Sequence, residues 1–142
     1  MNHVENTKTV AKVVDSTSLA LPVDTMGFAH ASIDVAYEPV AAAGTASAIA
    51  SVLKIESSDT NGSFASLTGY VGGTDFTIPT PANTNDTTIV RFDVDLRGKK
   101  RYLNVATTLT TSGGCAAVVR LSKGSNGPDS ASEKGVDVAV TG

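Results

Sequence analysis

Apolar residues recur at every second position along much of the chain, and many of them are β-branched. Residues 88–96 show this pattern most clearly. One face of the run would carry Thr88, Val90, Phe92, Val94 and Leu96. The opposite face would carry Ile89, Arg91, Asp93 and Asp95. Because successive side chains of a strand point to opposite faces, the alternation predicts a strand with one buried and one solvent-facing side.

A charged turn follows at 97–100, and the alternation resumes at 101–109. The second run places Leu103, Val105 and Leu109 on one face. Two alternating runs joined by a short turn containing glycine are typical of a β-hairpin. We therefore predict that 88–96 and 101–109 pair with each other.

Further strands are predicted on both sides of this pair. Residues 29–37 alternate and stop at Pro39, where proline removes a hydrogen-bond donor from the ladder. Residues 115–121 are apolar and flanked by glycines, which predicts a central strand buried on both faces. Weaker candidates are 10–14, 18–21, 76–78 and 136–140.

The alanine-rich segment 40–56 admits two interpretations. Alanine is the best helix former, and Ile49, Val52 and Leu53 could form one apolar stripe of a helix. Alternation through Ile49, Leu53 and Ile55 instead favours a strand over 47–57. Turn-forming residues at 58–63 then predict a tight loop.

The tally of eight to ten short strands separated by turns predicts an all-β fold, an antiparallel β-sandwich or jelly-roll-like single domain. A length of 142 residues fits one domain. We predict a flexible N-terminal arm at 1–9 and a sandwich core at 10–122. Residues 123–142 are predicted to form a polar linker and a returning C-terminal strand.

Composition and charge exclude several classes of partner. Eleven Lys and Arg against fourteen Asp and Glu, spread along the chain, give no basic stripe for nucleic acid. Apolar stretches of about five residues are far shorter than the roughly 20 of a membrane span. The N-terminus shows no signal-peptide pattern, and the single cysteine agrees with folding in a reducing cytoplasm.

The residues that could carry chemistry do not form a convincing catalytic set. His30, Ser32 and Asp34 share a strand face, but alternate positions lie about 7 Å apart, too far for the hydrogen bonds of a triad. His30 is better interpreted as a solvent-facing or subunit-contact residue. Cys115 lies in an apolar strand, where a thiol behaves as a small core hydrophobe.

Two acidic motifs have similarly structural interpretations. Asp93 and Asp95 have the separation of a glycosidase pair, but Arg91 and Arg97 flank them. Such a row favours cross-strand or intersubunit salt bridges. Residues 59–62 lack the alternating oxygens and closing glutamate of a calcium loop. We therefore predict no catalytic, cofactor-binding or metal-binding residues, and a protein that is not an enzyme.

Three segments, in order, carry a resemblance to a known family. They are SAIASVLKIESSDTNGSFASLTG at 47–69, TTIVRFDVDLRGKKRYLNVATTLT at 87–110 and GCAAVVRLSKG at 114–124. The shared pattern is a strand entering a serine-rich and aspartate-containing turn, a charged turn, an Arg-Tyr-Leu strand and a final apolar strand. In these features the chain resembles the capsid decoration, or cement, proteins of tailed bacteriophages.

The resemblance implies a structural virion protein made in the host cytoplasm and located on the capsid surface. Its expected partners are the major capsid protein and further copies of itself in a homotrimer, with no cofactor, nucleic acid or membrane. A tail or fibre-base component is the alternative, while a carbohydrate-binding module is less favoured because the chain has no Trp. The candidate capsid or intersubunit contacts are the four cations of one turn: Arg97, Lys99, Lys100 and Arg101.

Overall fold

A computed structural model describes residues 7–39, 48–81, 87–110, 113–123 and 136–141. Within these ranges the chain forms strands and turns without a helix. The nine strands are β1 Thr7–Val14, β2 Ser18–Asp24, β3 His30–Tyr37, β4 Ala50–Ser58, β5 Ala65–Val71, β6 Thr88–Asp95, β7 Tyr102–Leu109, β8 Cys115–Ser122 and β9 Val138–Thr141.

The strands form two stacked sheets with a common core, which confirms the prediction of an all-β sandwich. The five-stranded sheet has the order β1-β8-β3-β6-β9, and the four-stranded sheet has the order β2-β7-β4-β5. Neighbouring strands are antiparallel, except that β9 runs parallel to β6. Alternate residues of each strand point into the space between the sheets, as the period of two requires.

The pairing of the first eight strands is nested. β1 pairs with β8, β2 with β7, β3 with β6 and β4 with β5. The first half of the chain therefore lies beside the second half in reverse order. Among these eight strands, successive strands alternate between the sheets, except that β4 and β5 are neighbours in one sheet. The turns between them consequently collect at the two ends of the sandwich.

The predicted hairpin of 88–96 with 101–109 is wrong. β6 belongs to the five-stranded sheet and β7 to the four-stranded sheet, so the two strands lie on opposite sides of the core and do not pair. Both have a fully buried apolar face, including Phe92 on β6 and Val105 on β7. Alternation specifies that each strand has a buried face, but facing sheets satisfy that pattern as well as a hairpin does.

β8 is a central strand, between β1 and β3, as predicted. It is not buried on both faces, because Arg120 is exposed and Ala116 and Val118 are only half-buried. Its inner face, including Val119 and Leu121, is fully buried. One face of this antiparallel sheet remains open to solvent, which explains the difference.

The strand interpretation of 47–57 is confirmed by β4, and the loop predicted at 58–63 follows it. The alanine-rich residues 40–47 lie outside the described part of the chain. The strand predicted at 76–78 is wrong, since this segment contributes only an isolated bridge from Phe76 to Gly72. Phe76 instead packs edge-on against Phe92, with ring centroids 5.4 Å apart.

The predicted ends of the domain agree only partly with the structure. β1 begins at Thr7, so the last residues of the predicted 1–9 arm belong to a sheet. Residues 1–6 lie outside the described ranges, as do residues 124–135 of the predicted linker. The returning C-terminal strand is confirmed as β9, where Val140 is 6% exposed and packs into the core.

Two fully buried tyrosines tie the sheets together. The hydroxyl groups of Tyr37 on β3 and Thr107 on β7 are 2.7 Å apart, and Thr107 donates to the carbonyl of Val52 at 2.9 Å. Since the Thr107 hydroxyl has one hydrogen, Tyr37 is the donor in their shared bond. On the other side of the core, Tyr70 donates from β5 to the Asp93 carbonyl of β6 at 2.9 Å.

We expect the Tyr37–Thr107–Val52 relay to be measurable in the free energy of unfolding. Tyr37→Phe removes one donor and should cost about 1 kcal/mol, whereas Thr107→Val leaves two buried groups unpaired and should cost about 2 kcal/mol. Urea denaturation of both variants and of the double variant measures these costs. A double variant whose cost equals the sum of the two single costs would show that the groups are not coupled.

Gly72 is required by close packing rather than by its backbone angles. A Cβ at this position would lie 2.6 Å from Cγ1 of Ile78 and 2.7 Å from the Leu53 carbonyl oxygen. We expect Gly72→Ala to lower the free energy of unfolding by about 1–3 kcal/mol. Gly62→Ala is the matched control, because a Cβ at Gly62 would meet no atom within 4 Å. Equal melting temperatures for the two variants would contradict this account.

Candidate functional site

The predicted basic turn lies at one end of the sandwich, where three connections meet: 25–29, 59–64 and 96–101. We call this region the loop end. The Thr25 amide donates to the Arg101 carbonyl at 3.0 Å, and the Leu96 amide donates to the Ala29 carbonyl at 2.8 Å. The 59–64 loop approaches through an ion pair between Lys100 and Asp59 at 3.8 Å. The four predicted cations are thus placed on one surface together with loops distant in sequence.

The two arginines of the turn are bound within the protein. Nε and Nη2 of Arg97 donate to the two carboxylate oxygens of Asp95 at 2.9 and 2.7 Å. Arg101 forms the same fork with Asp24, at 2.9 and 2.8 Å. Its guanidinium also lies 5.0 Å from the ring centroid of Tyr102. Paired forks of this kind fix geometry, so Arg97 and Arg101 position the turn.

The forks lower the pKa values of both carboxyl groups. Hydrogen bonds from the Arg101 side chain and the Met26 amide lower the pKa of Asp24 to about 2. Hydrogen bonds from the side chain and amide of Arg97 lower the pKa of Asp95 well below its ordinary value. Both pairs are open to solvent, where salt screens their attraction. They therefore hold the turn at neutral pH and contribute little to global stability.

The two lysines of the turn remain accessible. In the Lys100–Asp59 pair the side chains are 52% and 77% exposed, and Lys99 is exposed with no ion pair among the described residues. Gly98, with a φ of 76°, provides the left-handed backbone conformation that projects the turn. The predicted contact set therefore divides into two positioning arginines and two lysines that can reach a partner.

Sequence reasoning missed Met26 as a member of this surface. Its side chain is 63% exposed, and its amide donates to Oδ1 of Asp24 at 3.1 Å. The same carboxylate thus holds both the Met26 turn and Arg101. The sequence Asp-Thr-Met-Gly does signal a turn, but it does not reveal that the turn packs beside residues 96–101.

Asp34 forms an ion pair with a neighbouring strand. Nε and Nη2 of Arg91 donate to its carboxylate oxygens at 2.6 and 2.8 Å. The Asp34 carboxylate is therefore engaged across the strands and does not orient His30. His30 begins β3 and lies half-buried opposite Asp95 and Ser122.

The acidic row on β6 agrees with the salt-bridge prediction in one part. Arg91 pairs across strands with Asp34, as expected for this row. For Asp95 the cross-strand alternative is wrong, because its carboxylate pairs with Arg97 two positions along the chain; the intersubunit alternative stays a prediction. The chain turns after Asp95, so the nearest guanidinium belongs to the turn itself.

The other sequence candidates are Cys115 and the loop at 58–63. Cys115 is 3% exposed, and burial, together with nearby Glu38, raises the pKa of its thiol. In the 58–63 loop the Thr60 amide donates to the Ser58 hydroxyl at 3.2 Å. Across the described ranges, no three His, Cys, Asp or Glu residues are grouped as a metal site would need. The same ranges contain no helix that could cross a membrane.

Comparison with known proteins finds no family model that matches the chain and no curated protein similar to it in sequence.

The Arg101 fork makes a prediction about proton binding at the loop end. In a carboxyl NMR titration we expect Asp24 to titrate near pH 2, and at a higher pH in Arg101→Gln, where the Met26 amide still keeps its pKa below the ordinary value of 3.8. The fork requires the ionised carboxylate of Asp24. Because the pKa of Asp24 is lowered, the stabilisation from the fork is fully present above the ordinary Asp pKa and is lost as the pH falls through about 2. An unchanged titration midpoint in Arg101→Gln would show that the fork does not hold this turn in solution.

Proposed function

We propose that the protein is a structural virion component that decorates the outer surface of a phage capsid and cements neighbouring major capsid protein subunits. In this proposal it acts as a homotrimer, and the loop end faces the capsid. The observation that carries the proposal is the geometry of the loop end. Two arginine forks hold a projecting turn whose lysines, Lys99 and Lys100, are exposed beside Met26.

The chemistry of this surface suits a protein partner. Lysines attract acidic groups over a distance, while an exposed methionine adapts its shape to an apolar contact. Asp24, Asp59 and Asp95 offset much of the positive charge around the turn. A surface that combines charges of both signs with an exposed apolar side chain is typical of a protein–protein interface. A phosphate-binding surface would instead carry a continuous row of cations.

The strand order supports the jelly-roll form of the sandwich. In a jelly roll, two Greek keys place eight strands in two sheets, an architecture found in viral capsid domains. The nested pairs β1–β8, β2–β7, β3–β6 and β4–β5 follow this scheme, with β9 added at one edge. The fold alone does not assign a function, so it supports the proposal only together with the loop end.

The many identical binding sites on a capsid shell can compensate for a weak contact at each site. A capsid presents the same site many times, and a trimer can engage several sites together, which multiplies the affinity of a single contact. A modest surface with few apolar residues therefore suffices for decoration. Synthesis in the host cytoplasm is part of the proposal and agrees with the buried, protonated thiol of Cys115.

The proposal is tested by binding purified protein to capsid shells that lack it. We expect Lys99→Gln/Lys100→Gln to weaken binding by at least about ten-fold and to reduce the salt dependence of binding. Ser51→Glu/Thr110→Glu is the control, because it makes the same change in net charge at exposed positions at the opposite end of the sandwich, on the central strand β4 and just after β7. Sedimentation of shells with bound protein measures occupancy.

Two results would count against the proposal. Absence of binding by the wild-type protein would contradict the proposal of capsid decoration. Equal loss in the lysine variant and the control would show that general charge, rather than the loop end, determines binding.

A further inference from the structure

The sandwich has two open sides, where the edges of the two sheets lie next to each other. β1 and β2 border one side, and β5 and β9 border the other. We call them the β1/β2 side and the β5/β9 side. Edge strands present unpaired backbone groups, so natural proteins either protect such edges or use them for association.

The β1/β2 side is basic. Lys8 and Lys12 on β1 are both exposed, and their register opposite buried Leu121 and Ala117 directs them toward the open side. Nζ of Lys12 donates to the Ala20 carbonyl of β2 at 3.0 Å, across that side. Neither lysine forms an ion pair with any residue in the described ranges.

Other groups nearby do not cancel this charge. Asp24 at the end of β2 is engaged by Arg101, which leaves Asp15 in the β1–β2 turn as the other carboxylate. Val13, on the same edge strand, is 79% exposed, but it lies opposite half-buried Ala116 and therefore faces the outer surface of the five-stranded sheet. The β1/β2 side itself is thus distinguished by its excess positive charge.

The β5/β9 side is acidic. Asp75, just after β5, and Asp137, just before β9, are both exposed and form no ion pair with the described residues. Oδ2 of Asp75 accepts from the amides of Gly69 and Val71 at 2.9 and 3.0 Å. Oδ2 of Asp137 accepts from the Ile89 amide at 2.8 Å. In each carboxylate, one oxygen holds the local backbone and the other is available to a cation.

Contact between the β1 edges of two copies is disfavoured by charge. If β1 paired antiparallel with β1 of a second copy about Val10, Lys8 of each copy would face Lys12 of the other. Directly opposed like charges are destabilising in a sheet. Unlike sides have complementary charge, so the favoured contact is heterologous, and heterologous contacts between copies form closed rings when the rotation closes.

We propose that the β1/β2 side of one copy docks on the β5/β9 side of the next copy, and that three such contacts close the ring. The inference deepens the homotrimer of the proposed function, and its occupant is a second copy of this chain. Lys8 and Lys12 of one copy then meet the acidic side of the next copy. The loop end stays outside the contact and remains available to the capsid.

Light scattering of the purified protein after size exclusion, at about 0.15 M salt, tests the ring directly. We expect the wild-type protein to have three times the 14.4 kDa subunit mass. Lys8→Glu/Lys12→Glu should be monomeric, with self-affinity reduced at least about ten-fold. Adding Thr68→Lys/Asp137→Lys to that chain leaves Asp75 unchanged and makes the β5/β9 side basic. The charges of both sides are then reversed and again complementary, so the trimer should be restored.

Lys99→Gln/Lys100→Gln is the matched control and should remain trimeric. A monomeric wild-type protein, a lysine reversal that stays trimeric, or a folded combined variant that stays monomeric would each overturn the proposal. Circular dichroism establishes that each variant is folded. If the reversal variant is unfolded, the salt dependence of wild-type assembly decides instead. Dissociation between about 0.05 M and about 0.5 M salt supports the contact, and a salt-independent mass overturns it.

The two proposals fail in different ways. A trimer that does not bind shells would contradict the proposal of capsid decoration but not the proposed contact between copies. A monomer that binds shells at the loop end would contradict the proposed contact between copies but not capsid decoration.

Discussion

The buried hydrogen bond from Tyr37 to Thr107 is the interaction on which the relative position of the two sheets most depends. It joins the C-terminal end of β3 to β7, and Thr107 donates in turn to the Val52 carbonyl of β4. Burial raises the pKa of Tyr37 far above its ordinary value, so the phenol keeps the proton that it donates. Apolar packing is not directional, whereas this relay accepts one alignment of the sheets. Tyr70 makes a second tie, from β5 to β6.

The alignment of the sheets determines what the loop end can present. β2 and β3 lie in different sheets, as do β6 and β7, so the turns that carry Met26 and Lys99 each connect one sheet to the other. The Arg101–Asp24 fork then joins two of these turns over a separation of 77 residues. A shift of one sheet relative to the other would displace both turns, because each turn is anchored in strands of both sheets. The buried ties thus position the surface that we propose as the capsid contact, although they lie far from it in the core.

The alternating pattern was enough to predict the strands around Ile33, Phe92 and Val105 and their assembly into a sandwich. It did not determine partners, because a strand with one apolar face can satisfy that face in a hairpin or across a core. This ambiguity produced the wrong hairpin between 88–96 and 101–109. Of the candidate site, the cation cluster was visible as a run in the sequence. The exposure of Met26 and the partner of Arg101 were not, since both depend on contacts between distant turns.

Cryo-electron microscopy of the assembled phage particle tests the central claim most directly. The account predicts density for the sandwich on the outer surface of the head, with the turn containing Lys99 and Lys100 against the major capsid protein. Density confined to the tail, or a sandwich attached to the head by its opposite end, would contradict it.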